Sequence, residues 1–328
     1  MKRKYKILLG ILLFIVVFYA VCNIIPPKKA VEENPFITNG LPMLCAHRGG
    51  AETSPENTIK AYKNVVSKYQ ADILETDLWL TSDNQVVLSH DSTINRTSDV
   101  EVVTGNNEKY YISDHTLKEL KQFNFGYKFE IDGTRPYENL ITESNKEDRE
   151  TIISENELSI VTLDELFACF YETHKEMLFI VEIKNSGEKG FIVADKIADL
   201  LNNKYPDYKN RIVVGTFNNE VEEYLKNNQP QILRGASPSA VIKFVATQVL
   251  KVNIFENQTI ACLQLPLEEY GIPLTWDTYI KRAHRKNIAV QYWTINDAET
   301  MRELIEKGVD AIMTDNPALL REILNEYK

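Results

Sequence analysis

The pattern along the chain opens with an unbroken apolar run. Residues 7–25, ILLGILLFIVVFYAVCNII, continue for 19 positions without a charge, long enough at 1.5 Å per residue to cross a bilayer as a helix. A cleaved leader would carry a shorter apolar core and a small-x-small cleavage site, whereas this run ends Asn23-Ile24-Ile25-Pro26-Pro27. The pattern predicts an uncleaved single-pass anchor. Four basic residues (Lys2, Arg3, Lys4, Lys6) precede it and two (Lys28, Lys29) follow. That bias makes residues 1–6 a basic cytoplasmic tail and places the remainder outside the cell membrane. Residues 26–41, rich in Pro, Lys, Glu and Asn and without period, read as a linker.

From 42 to 322 the rhythm changes. Short apolar runs at 43–46, 72–79, 178–183, 211–215, 231–236, 260–264, 288–293 and 309–313 alternate with helical patterns over 55–68, 188–203, 219–227, 239–250, 275–286 and 297–307. Eight strands with helical crossovers predict a TIM (β/α)8 barrel, its site at the C-terminal ends of the strands. Residues 323–328 read as a C-terminal tail. One run breaks the rule: Val86–His90 follows the second strand too closely for a parallel crossover and must return as an antiparallel arm. A turn centred between Asp83 and Asn84 sets His90 opposite Asp77. Residues 92–160, polar and then acidic, read as an inserted subdomain or cap over the mouth.

Composition narrows the partners. With 44% hydrophobic and 26% charged residues the chain is globular, and a net charge of −10 argues against nucleic acid held by bulk electrostatics. Beyond the anchor lie Cys45, Cys169 and Cys262, two of them in apolar runs, which suits buried small residues better than a disulfide framework. Oligomeric state is not legible.

The chemistry gathers at predicted strand ends. Glu75 and Asp77, two apart on a strand, share a face, and Glu182 closes the next barrel strand. Three converging carboxylates cannot all stay ionised without a cation, and oxygen-only ligands favour Ca²⁺ or Mg²⁺. His47 and His90 end the first strand and the antiparallel arm, placed to divide proton transfers in a displacement. His115, His174 and His284 have no such neighbourhood. Arg48 and Lys184 offer positive charge to phosphate oxygens. Gly49 and Gly50 let the backbone close on something anionic, and Ser54-Pro55 reads as N-cap and first residue of a helix whose amides face the same mouth. Together these describe a phosphodiester site.

The segments HRGGAETSPENT at 47–58, LETDLWLTSDNQVVLSHDSTINRTS at 74–98, FIVEIKN at 179–185, YWTIND at 292–297 and GVDAIMTDNP at 308–317 resemble, in order, the motifs of the glycerophosphodiester phosphodiesterases. The resemblance implies a barrel enzyme with His47 and His90 as acid and base, Glu75, Asp77 and Glu182 as ligands of one divalent cation, and Arg48 and Lys184 on the phosphate. Trp293 is similar to the family's aromatic wall at the mouth. Gln70 and Asn84 stand where the family usually has glycine, and the insertion is longer and more acidic. The implied reaction is metal-dependent cleavage of a small glycerophosphodiester or a glycerol-phosphate polymer to glycerol phosphate and an alcohol. Two alternatives remain open: phospholipase C- or D-type cleavage of intact lipid on the same barrel, and a catalytically idle membrane-tethered binding protein.

Overall fold

The structure is a computed structural model of residues 1–328, describing all of them except 1, 25–26, 251, 253–257 and 270. Its strands are β1 (Met43–Ala46), β2 (Ile73–Leu80), β3 (Val86–Leu88), β4 (Leu178–Ile183), β5 (Ile212–Gly215), β6 (Leu233–Arg234), β7 (Cys262–Leu265), β8 (Glu268–Glu269), β9 (Ile272–Pro273), β10 (Ala289–Tyr292) and β11 (Ala311–Thr314). The order β6-β5-β4-β2-β1-β11-β10-β7 is parallel throughout. A parallel bridge from Gly235 to Cys262 links the two ends. The result is the nearly closed eight-stranded barrel expected, wrapped by helices that include 187–199, 219–228, 238–249, 277–284 and 298–307.

Strand periodicity decides which side chains reach the site. Leu44, Leu74, Phe179, Val181, Val214, Leu263, Val290 and Ile312 point outward into the large core under the helices. Cys45, Ile73, Ile180, Val213, Cys262, Ala289, Ala311 and Met313 point inward and fill the barrel. Side chains alternate between faces, so the inward rows continue as Cys45-His47, Ile73-Glu75-Asp77, Ile180-Glu182 and Met313-Asp315.

Four local expectations need correction. The arm β3 pairs Leu78 with Leu88 and Leu80 with Val86, so Ser89, not His90, stands opposite Asp77. The loop holds three residues, Ser82 to Asn84, because the Thr81 N–H donates to the Gln85 carbonyl and Asn84 takes φ 57°; an odd loop count moves the register by one. Second, the first barrel helix begins at Ile59, not 55, with Thr58 as its cap. Asn57 takes φ 56° and its N–H donates to the Arg48 carbonyl, holding 51–58 as a compact turn. Third, the stretch expected as a linker is docked from Ala30 onward: Asn34 donates to the carbonyls of Ala261 and Asn287, and Phe36 is fully buried in the barrel interior. Finally, the helix Pro317–Glu326 runs into the expected tail and buries Ile323 and Leu324, so only residues 325–328 of that tail are exposed.

The 92–160 segment is not structureless. Val100, Ile112, Leu120, Phe123, Phe125 and Ile160 form their own core with Val87 and Ile94 beside the antiparallel arm. Gln70 and Asn84, where glycine was the expected residue, both lie in the left-handed region at φ 52° and 57°. The helix Lys2–Ile24 leaves most of its apolar surface uncovered, Phe14 at 70% and Leu9 at 66% exposure.

Candidate active site

At the end of β1 the chain enters a tight turn in which Arg48, Gly49 and Gly50 all take positive φ, 51°, 83° and 82°. A Cβ on Gly49 would lie 2.8 Å from Cβ of Ala61, and one on Gly50 would lie 2.7 Å from Pro317. The glycines therefore let the turn pack against its neighbours, rather than opening the backbone to a ligand as expected. The same twist turns the Arg48 N–H inward, where it donates to Oε2 of Glu75 at 2.9 Å.

Glu75 and Asp77 are 4% and 2% exposed, and Asp77 pairs in register with Glu182 across β2 and β4. Lys184 sits between the last two, its Nζ 2.9 Å from Asp77 and 2.8 Å from Glu182. Arg48 Nε lies 3.2 Å from Asp77 Oδ2, close but misaligned, so that buried oxygen has no hydrogen-bond partner among the described residues. Among those residues no three acidic, histidine or cysteine side chains already converge as a ready metal cluster; the two cations share out the acids instead. Burial and the neighbouring Asp77 push Glu75 up to about 8, against the opposing pull of His47 and Arg48. Burial also raises Glu182, with Lys184 working against it.

His47 and His90 differ in their surroundings. Nδ1 of His47 lies 2.6 Å from Oδ1 of Asp315, and Nε2 lies 4.0 Å from Glu75. Burial would lower the pKa of His47, but the bond to Asp315 and the charge of Glu75 outweigh it and raise it. Asn296 holds Asp315 in turn, donating to Oδ2 at 2.9 Å and accepting from the Asp315 N–H. Nδ1 of His90 is 2.9 Å from Asp91, whose other oxygen accepts from Arg96 at 2.6 Å. Arg96 grips Glu56 with two bonds of 2.7 and 2.8 Å, and Glu56 reaches Arg48 at 3.6 Å. A continuous charged chain thus runs from His90 to Arg48.

Both imidazoles, the three acids, Arg48 and Lys184 line one cavity of about 370 Å³ at the C-terminal end of the barrel. Its opposite wall is apolar, formed by Phe217, Val241, Ile242, Leu274 and Trp293, and Trp293 meets Phe217 edge to face. All eight anticipated side chains therefore reach the mouth. The expected helix amides do not face it freely, since Thr58 caps the first turn and accepts from the Ala61 N–H. His284 instead pairs with Asp310, His115 with the Tyr111 carbonyl and His174 with Thr173. Asp315, Asp91 and Arg96 are site residues that the sequence reading does not supply. Asp315 was recoverable, since it continues the inward row of Ala311 and Met313.

Such a rim suits an anionic diester: cations to hold its free oxygens, and imidazoles to carry protons to and from the bridging ones. Fold and rim together define a barrel hydrolase of phosphoric diesters. Residues 47–319 match the glycerophosphoryl diester phosphodiesterase family, and the chain belongs to it. It is 26% identical over 290 residues to a glycerophosphodiester phosphodiesterase of Caldanaerobacter subterraneus, covering 87% of this chain and 98% of that one. A glycerophosphodiester phosphodiesterase of Bacillus subtilis is 22% identical over 99% of this chain and 100% of its own length. Among solved structures, an Oleispira antarctica phosphodiesterase in complex with its product sn-glycerol-3-phosphate has the same fold, with TM-score 0.62 at 22% identity over 87% of this chain and 97% of that one.

Proposed function

We propose that the protein hydrolyses glycerophosphodiesters to glycerol phosphate and an alcohol, with one divalent cation, from outside the membrane that its N-terminal helix spans. The observation that carries this reading is the Asp77–Glu182 pair, with Glu75 one inward position below, on the wall both imidazoles share.

The residues fit a cation. Asp77 Oδ2 is buried without a hydrogen-bond partner among the described residues, and Glu75 is held up by burial and by Asp77; a positive ion among them relieves both penalties. Glu75, Asp77 and Glu182 would hold it, and their oxygen-only set suits Ca²⁺ or Mg²⁺. When bound, it supplies Lewis-acid polarisation of the phosphoryl oxygens and offsets their charge.

The protein's own groups do the rest. Arg48 and Lys184 orient the phosphate and balance charge growing on its oxygens. His47, its proton stabilised by Asp315, is the acid that protonates the departing alcohol. His90, oriented by Asp91, takes the proton from the attacking oxygen, either a water or the neighbouring glycerol hydroxyl. In the second case the cyclic phosphate formed is opened by a water, with the two imidazoles exchanging roles. Phe217, Ile242 and Trp293 form an apolar wall facing the charged rim, which lowers the polarity on one side of the phosphate. Uncovered apolar side chains along Lys2–Ile24 support the anchor, and the flanking basic residues support a cytoplasmic N-terminus.

The test is release of glycerol phosphate from glycerophosphocholine by the full chain, by His47→Ala and by His90→Ala, with chelator and then with Ca²⁺ or Mg²⁺ restored. Each variant should lose on the order of 10²- to 10⁴-fold in kcat. Full activity in either removes the two-histidine assignment, and full activity in chelator removes the cation.

A further inference from the structure

The route of the chain from the apolar helix into the barrel decides which way the mouth can look. The Ala30 N–H donates to the Lys286 carbonyl at 2.7 Å. The Asn34 amide donates to the carbonyls of Ala261 and Asn287 at 2.7 and 2.9 Å, and the Asn287 amide returns bonds to the carbonyls of Val31 and Glu32. The Thr38 N–H donates to the Asp310 carboxylate at 3.0 Å. Ala261 immediately precedes β7, Lys286 and Asn287 precede β10, and Asp310 precedes β11. All therefore mark the N-terminal end of the barrel, opposite the cavity. Phe36 closes that end, buried among first-row residues such as Ile73, Leu178 and Ala289.

The covalent connection between helix and base is short. From Ile24 to Ala30 there are six residue steps, which span at most about 22 Å when fully extended. A compact globule the size of residues 30–328 is about 50 Å across. A tether of that reach, fixed at the base, cannot swing the opposite end round to the membrane.

Resting on the reading of residues 2–24 as a membrane span and of the cavity as the diesterase site, we propose that the barrel stands base-down on its own bilayer with the mouth directed away from it. The site then takes water-borne glycerophosphodiesters, and the lipids of the anchoring bilayer are out of its reach. The exposed Phe217 and Ile242 at the rim, 59% and 62% exposed, meet substrate arriving from the aqueous side.

The experiment uses the full chain reconstituted in phosphatidylcholine vesicles that carry an acceptor dye on their headgroups. A donor dye is attached at Glu268→Cys, on the β8–β9 hairpin at the mouth, or at Glu176→Cys, just before β4 at the base, with Cys169→Ser to remove the half-buried thiol. Energy transfer to the bilayer should be several-fold stronger from position 176 than from 268. Equal or stronger transfer from 268 overturns the orientation. Failure of the protein to float with the vesicles also overturns it, by removing the anchor. Turnover of added glycerophosphocholine is scored separately in the same vesicles, so loss of the diesterase reading shows as lost turnover with the energy-transfer pattern intact.

Discussion

Nδ1 of His47 lies 2.6 Å from Oδ1 of Asp315, a carboxylate 268 positions further along the chain. The contact joins the end of β1 to the end of β11, neighbours in the barrel. It leaves Nε2 as the nitrogen on the cavity side, 4.0 Å from Glu75.

Asp315→Asn should therefore act through His47. An amide can present its NH₂ to Nδ1 and select the wrong tautomer, and kcat should fall by roughly 10²- to 10⁴-fold with the fold intact. The sign for pH follows from the raised pKa of His47. Its stabilising contribution is complete below the unfolded value of about 6.5 and is lost as pH rises through the folded value. In Asp315→Asn that pH dependence should flatten, and the alkaline limb of kcat/KM should move to lower pH. An unmoved limb dissociates Asp315 from the acid.

Glu75 gives a slope of the same sign through the opposite chemistry, its folded form favouring the neutral group rather than the charged one. Its carboxyl titrates near 8 in the fold against a usual 4.5, so over that interval the folded chain keeps a proton that the unfolded chain releases. Stability falls as pH rises across it. Added Ca²⁺ or Mg²⁺ should oppose the fall by favouring the ionised form, raising Tm more at pH 8 than at pH 5.5. Glu75→Gln should remove both effects. A cation-induced Tm shift that is the same at both pH values sinks the assignment.

Arg96 joins Asp91, which orients His90, to Glu56, which touches Arg48. Arg96→Ala should lower kcat on the order of 10²-fold by loosening that geometry, with a smaller change in KM. Arg96→Lys should not restore it, since an ammonium cannot reproduce two parallel bonds to Glu56 and a third to Asp91. Urea unfolding separates the effect from stability.

The docked base predicts a stability effect without a catalytic one. Phe36→Ala should cost about 3–5 kcal/mol, as for other fully buried phenylalanines. Asn34→Ala should cost about 1–3 kcal/mol for carbonyls left without their donor. In both, kcat of the folded fraction should match the parent. A chain starting at residue 42 should be less stable than one starting at residue 27.

Much of this site was legible because a strand writes its facing into its own sequence. Glu75 and Asp77, or Glu182 and Lys184, share a face whatever the rest of the chain does, and His47 follows Cys45 on an inward row. The short link between Leu80 and Val86 likewise forced an antiparallel arm. Eight apolar runs separated by helical patterns sufficed for the barrel. What the alternation could not carry was the one-residue register of that arm, which turned on Asn84 adopting a left-handed conformation in a three-residue loop.

Pairings between distant segments lay further out of reach. Asp315 reads as one more strand-end acid until the barrel nearly closes and sets β11 against β1. Asn34 and Phe36 read as part of a polar linker until the open bottom of the barrel supplies unpaired carbonyls and an apolar hole to fill. Lys184 keeps its place at the mouth while bridging Asp77 and Glu182, an arrangement that only the register of β2 against β4 fixes. Local sequence determined which face each side chain takes, because that depends on backbone geometry over two or four residues. The partner each one meets was decided by tertiary closure, because burial and charge neutralisation act only once distant strands lie side by side.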